Sequence, residues 1–187
     1  MAFFDFLFKK KAQSVLGVDI GSSSLKVVQL RREGGKAILE TYGELALGPY
    51  GGGEVGQATH LSAEQTTETL KDLLREAKVT ATACGVSIPF ARSLLSLVEL
   101  PDRKNREDQK TIIELEARKY IPVPMSEVQL DWFIVPEVGP SEREGEKEMV
   151  EVLIVAVHTD ELSLLQKIVS GAGLSASFYE IEIFSTV

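Results

Sequence analysis

The chain has 187 residues, of which 44% are hydrophobic and 26% charged, and carries a formal net charge of −8 at pH 7. That length can bury one substantial core or two small ones, and the composition is that of a folded, soluble protein, not a disordered one. The acidic balance argues against nucleic acid as a partner, because binding a phosphate backbone requires a basic face.

Chain order begins with residues 1–13, which stand apart. Phe3, Phe4, Phe6, Leu7 and Phe8 run into Lys9, Lys10 and Lys11, a composition that suits a short segment resting on an anionic membrane surface or docking in a partner's groove. A terminal helix packed on its own domain, or a frayed end, has the same pattern. Next, Val15, Leu16 and Val18 lead into Asp19-Ile-Gly21, three serines follow, and an apolar run from Leu25 to Leu30 carries Lys26. This reads as strand, tight turn, strand. Gly21 lets the backbone come close to a ligand, and the amides and hydroxyls of Ser22, Ser23 and Ser24 can face phosphate oxygens. Lys26 adds a point charge for a phosphate, and Asp19 at the strand end is placed to hold a cation through water. An ordinary hairpin with a serine turn is the competing reading. A Walker loop is excluded, since its glycine and lysine spacing is missing and the turn leads to a strand instead of a helix. The chain's two histidines, His60 and His158, are far from the serines in sequence, which argues against a hydrolase triad.

A third strand is expected at about Ala37 to Leu47, then a loop through the glycines of 48–53, then a helix from Ser62 to Ala77. Ser62 and Gln65 form a capping box, and Leu70, Leu73, Leu74 and Ala77 make the apolar stripe. Ala83 to Ile88 is a buried strand containing Cys84, the single cysteine, which reads as a reduced core thiol. Scattered histidines and one cysteine give no metal-binding set. No apolar run is long enough to span a bilayer and no signal peptide is recognisable, so a cytoplasmic location is expected.

Beyond Arg92 the elements form a second series. A strand from Arg92 to Leu100 precedes a helix opened by Pro101-Asp102 and running to about Lys119. Strands follow at Leu130 to Val135 and Val150 to Val157, joined by a charged loop at 136–148. Thr159 caps another helix with a stripe at Leu162, Leu165, Ile168 and Val169, Gly171 and Gly173 stop it, and Leu174 to Ile183 is the last strand. The order β-α-β-β-α-β describes a compact inserted subdomain. Boundaries are set at 14–88 for the first part of the larger lobe, 89–178 for the insert, and 179–187 for the start of the return. Within the insert, Ile113, Ala117 and Tyr120 share a helical face with Glu116 at its margin, and Pro122 and Pro124 hold the exit extended. Such a stretch can wall a peptide groove or simply turn a corner.

Leu16 to Leu30, Glu116-Ala-Arg-Lys-Tyr-Ile-Pro-Val-Pro124 and Gly171-Ala-Gly-Leu174, in that order, closely resemble the type IV pilus assembly PilM family. This family is related to the division protein FtsA. The resemblance implies an α/β fold: an actin-like (ribonuclease H-like) ATPase lobe with an inserted βαββαβ subdomain of the FtsA type. It further implies a location at the cytoplasmic face of the inner membrane among other pilus assembly proteins, and a groove for the N-terminal tail of the membrane protein PilN. The family's ATP site, with Mg through water on Asp19, maps onto Asp19, Gly21, Ser22, Ser23, Ser24 and Lys26. The groove or its support maps onto Glu116, Lys119, Tyr120, Ile121 and Pro122. Family members continue into a second lobe, whereas this sequence stops at Val187, so it is expected to be a piece that binds ATP and Mg weakly or not at all and does not hydrolyse ATP. Two other functions are compatible with the hairpin: a fragment of a sugar-kinase-like or acetate-kinase-like phosphotransferase, with Asp19 and Lys26 positioning the phosphoryl group, and a self-associating cytoskeletal element.

Overall fold

The computed structural model describes residues 14–103, 105–136 and 149–185. The aromatic segment at 1–13 and the charged loop at 137–148 lie outside the described residues. Two compact units divide the chain: one takes in residues up to Pro89 and again from Leu164, the other is Phe90–Ser163.

The first unit is built on a five-stranded sheet in the order β3-β2-β1-β4-β8. Strands β1 (Ser14–Ile20), β2 (Ser24–Glu33) and β3 (Lys36–Ala46) form an antiparallel meander, while β4 (Ala83–Ile88) and β8 (Ser175–Ile181) continue the sheet parallel to β1. Strict alternation dictates which face is buried. Leu16, Val18, Leu25, Val27, Cys84, Val86 and Ile88 are all under 5% exposed and point one way. The helices supply the apolar stripes: Leu70 and Leu73 from α1 (Ala63–Glu76), and Leu165, Ile168 and Val169 from α3 (Thr159–Gly171). Lys167 of α3 reaches Glu64 of α1 at 2.8 Å.

The start of α1 is as its sequence requires, with Gln65 N–H donating to Ser62 Oγ and Ser62 N–H to the Gln65 side chain. Its buried face also holds Thr66 and Thr69, whose hydroxyls return to the carbonyls of Ser62 and Gln65 and so enter the interior satisfied. Gln29 is 3% exposed on β2, where an apolar residue is expected. Its amide donates to Glu40 and Thr80 and accepts from the N–H groups of Thr80 and Ala81, fastening the sheet to the link that precedes β4.

The second unit sets α2 (Arg106–Ala117) against one face of a three-stranded antiparallel sheet, β5-β7-β6, made of β5 (Ser93–Pro101), β6 (Val128–Ile134) and β7 (Met149–His158). Val98, Leu100, Val152, Ile154 and Ala156 pack there with Ile113, Ala117 and Ile121. Three expectations are corrected. Helix α2 begins at Arg106 behind an Asn105 cap, not at Pro101-Asp102, because Pro101 is still paired with Met149 at the end of β5. The buried Gln109 then accepts from Arg103 N–H and holds the intervening link. Thr159 does not cap α3; its hydroxyl donates to the Glu127 carbonyl. Finally, β8 does not complete the insert at 178 but pairs with β4 in the larger sheet, with Gly85 opposite Phe178. Element order cannot say which sheet a strand joins, and the return is made already within α3.

Candidate functional site

The serine turn is a tight loop closed by its own backbone. Gly21 N–H donates to the Ser24 carbonyl at 3.0 Å, and a Cβ at Gly21 would lie 3.0 Å from that same oxygen, so a side chain there would push the turn open by a few tenths of an ångström. The Gly21 amide is thus spent within the turn, which leaves the amides and hydroxyls of the serines as the groups the phosphate-loop reading relies on. The loop after β3 holds the turn from behind, with Leu47 N–H on the Ser23 carbonyl at 2.8 Å and Thr59 N–H on the Ser22 carbonyl at 3.0 Å. Among the described residues the N–H groups of Ser22 and Ser23 have no acceptor, nor do the three serine hydroxyls have partners. Fixed carbonyls and free amides are what an anion nest needs.

Asp19 and Lys26 are directly opposite in the β1–β2 register and form an ion pair at 3.7 Å, with the two side chains 35% and 54% exposed. The second carboxylate oxygen accepts from Ser87 Oγ of β4 at 2.5 Å. Glu180 of β8 pairs in register with Ser87. Asp19, Ser87 and Glu180 therefore sit near the C-terminal ends of three neighbouring parallel strands, the edge at which open α/β sheets bind ligands. They share a depression of about 460 Å³ on the sheet's open face with Lys26, Gly17 and Gly85. Sequence reading missed Ser87 and Glu180. The available signal was their alternation with core residues, Ser87 in a strand read as buried and Glu180 in the strand read as the last of the insert.

The open face is ordered in rows. Tyr42, Val28, Gly17, Gly85 and Phe178 align across all five strands, the polar row of Glu44, Lys26 and Asp19 lies on one side, and Leu39, Leu30 and Val15 lie on the other.

In the second unit Glu116, Lys119 and Tyr120 come together at the end of α2. Lys119 Nζ meets Glu116 Oε2 at 2.7 Å, and the Tyr120 hydroxyl donates to Glu116 Oε1 at 3.4 Å. The hydrogen bond and charge of Glu116 hold the Lys119 ammonium above its usual pKa. Ile121 is buried in the unit's core, whereas Pro122 is exposed and Tyr120 is 45% exposed. Tyr120 thus leaves the stripe it was assigned to, because the helix ends at Ala117 and Ile121 takes the inward place.

The α/β lobe has the actin-like fold that the resemblance implied. The chain belongs to the type IV pilus assembly protein PilM family, whose model matches residues 17–187. It is similar to a solved chain titled PilM-PilN type IV pilus biogenesis complex, with a TM-score of 0.71 and 24% identity over 91% of this chain and 48% of that one. It is also similar to the cytoplasmic domain of EpsL, an inner membrane component of the type II secretion system of Vibrio cholerae, with a TM-score of 0.53 and 12% identity over 89% of this chain and 57% of that one. This chain spans about half the length of each.

Proposed function

We propose that the chain is an adaptor in type IV pilus assembly that captures the cytoplasmic N-terminal tail of a PilN-type membrane protein. The observation that carries this reading is membership of the PilM family over nearly the whole chain, supported by likeness to a chain solved in a PilM-PilN complex. Glu116, Lys119, Tyr120 and Pro122 are the proposed contacts on the second unit, with Ile121 supporting them from the core. An extended tail gains main-chain hydrogen bonds and places alternate side chains in pockets. The proposed location is the cytoplasmic side of the inner membrane, beside the other assembly proteins.

The serine turn is proposed as one side of an ATP phosphate site. Ser22 and Ser23 amides and the serine hydroxyls take phosphate oxygens, Lys26 adds charge, and Asp19 holds Mg through water. Asp19 suits that role because Ser87 and Lys26 already fix its orientation. When bound, Mg would neutralise phosphate charge; the residues named bind and orient. With contacts from this lobe alone, nucleotide affinity is low.

Titration of a fluorescent peptide carrying the PilN N-terminal tail should saturate with the folded chain, and Tyr120→Ala should weaken it. A folded sample that gives no saturable signal would reject the adaptor reading. Separately, a fluorescent ATP analogue with Mg should bind weakly and lose that binding in Lys26→Ala, so the two halves fail independently.

A further inference from the structure

The site proposed on the serine turn depends on which way one peptide plane faces, and the loop after β3 sets that plane. Among the described residues no peptide bond is cis, so the carbonyl and the amide of each peptide unit point opposite ways. Ser22 C=O and Ser23 N–H belong to one unit, at the centre of the turn. Thr59 N–H holds that carbonyl at 3.0 Å, which aims the Ser23 amide away from the loop. Rotation of this central plane, the change that separates the common turn types, would present an oxygen where a phosphate needs a donor.

The loop is built to keep Thr59 in place. Leu47 at its start is 3% exposed and donates to the Ser23 carbonyl at 2.8 Å, a second anchor on the same turn. Between the two anchors the chain closes on itself. Gly53 N–H meets the Gly48 carbonyl at 2.8 Å, Gln57 N–H meets the Glu54 carbonyl at 3.1 Å, and Glu54 N–H meets the Gln57 side chain at 3.0 Å. Close approach requires two of the glycines: a Cβ at Gly48 would run into the Glu54 carbonyl oxygen, and one at Gly51 into the Thr59 side chain.

We propose that the loop 47–59 is the positioning element of the phosphate site, with Thr59 acting through its backbone amide. The proposal deepens the phosphate reading of the serine turn and rests on it. Thr59 touches no phosphate; it keeps the Ser23 amide in the donor orientation before the anion arrives. A turn already held that way loses less freedom on binding, so releasing the brace weakens the anion without removing a contact.

Thr59→Pro deletes the bracing amide and Thr59→Ala keeps it. Two readouts on the ¹⁵N-labelled chain test the difference: the residual dipolar coupling of the Ser23 N–H bond, which reports its direction, and the Ser22 and Ser23 amide shifts during titration with Mg-ATP. Thr59→Pro should change the coupling and weaken Mg-ATP by about tenfold or more, as for one lost hydrogen bond to a charged group, while the Leu16 and Val86 amides of the sheet keep their shifts. Thr59→Ala should match the unsubstituted chain in both readouts. An unchanged coupling in Thr59→Pro overturns the proposal whether or not ATP binds, as does unchanged affinity beside a changed coupling, or an equal loss in Thr59→Ala. A coupling that changes only in Thr59→Pro, in a chain whose serine amides never respond to Mg-ATP, supports the brace and rejects the phosphate reading instead. If Thr59→Pro does not fold, Gly51→Val displaces Thr59 by contact. Adding Thr59→Gly, which clears the side chain and keeps the amide, should then restore coupling and binding; failure of that rescue overturns the proposal.

Discussion

Gln29 concentrates four hydrogen bonds in a side chain that is 3% exposed, and removing it strands the N–H groups of Thr80 and Ala81. Gln29→Leu should therefore cost about 1–3 kcal/mol in urea unfolding, although leucine matches the apolar pattern of β2. Lys78 presents the opposite case. It sits at φ 54 just past α1, a left-handed conformation that costs a side chain with a Cβ about 1 kcal/mol. Lys78→Gly should stabilise the protein by up to about 1 kcal/mol, less the added entropy of the unfolded chain. Neither residue was legible in the sequence. A glutamine between valine and leucine looks like an exposed position, and a lysine at a helix end looks like ordinary complementation of the dipole. Their roles come from partners about fifty positions away for Gln29, and from the exact point where the helix stops for Lys78.

Elements with local punctuation were readable. The capping box marks α1 to the residue, and the Asp19-to-Ser24 turn fixes the β1–β2 hairpin. Where punctuation was ambiguous, the reading slipped: Pro101 belongs to a strand and Asn105 to the cap. The join between α1 and α3 has a pH signature. Lys167 hydrogen-bonds Glu64, whose own backbone amide and Ser62 add to the effect, and its pKa falls from 4.5 to about 2. Because the folded value lies below the unfolded one, this stabilisation is complete above about 4.5 and is lost as pH drops through 2. Lys167→Met should return the Glu64 carboxyl toward its ordinary value in a ¹³C titration and flatten that portion of the acid-unfolding curve. A Glu64 titration unmoved by the substitution would contradict the link.

For the whole molecule, each unit has its own core, and the proposed sites divide between them: the serine turn on the first, the α2 exit on the second. Asp19 and Lys26 are partly exposed, so their ion pair contributes less than about 1 kcal/mol to stability. Asp19→Ala should thus leave the unfolding midpoint nearly unchanged and remove Mg-dependent nucleotide binding, while peptide titration is unaffected. A simultaneous loss of peptide binding would mean that the two sites are not separate. Ile113→Ala, which empties a fully buried position under α2, should cost about 2–5 kcal/mol, read from hydrogen exchange of β5, β6 and β7 amides.

By itself the sequence determined the strand and helix series, the tight turn at Gly21 to Ser24, and the family, because alternation, capping and tight turns are set by neighbours a few residues apart. Only the tertiary structure decided that β8 joins β4, that Ser87 meets Asp19, and that an apolar row runs from Tyr42 to Phe178. Those facts depend on which strands lie side by side, and strand pairing across long loops is chosen by the packing of the whole sheet, not by any local pattern.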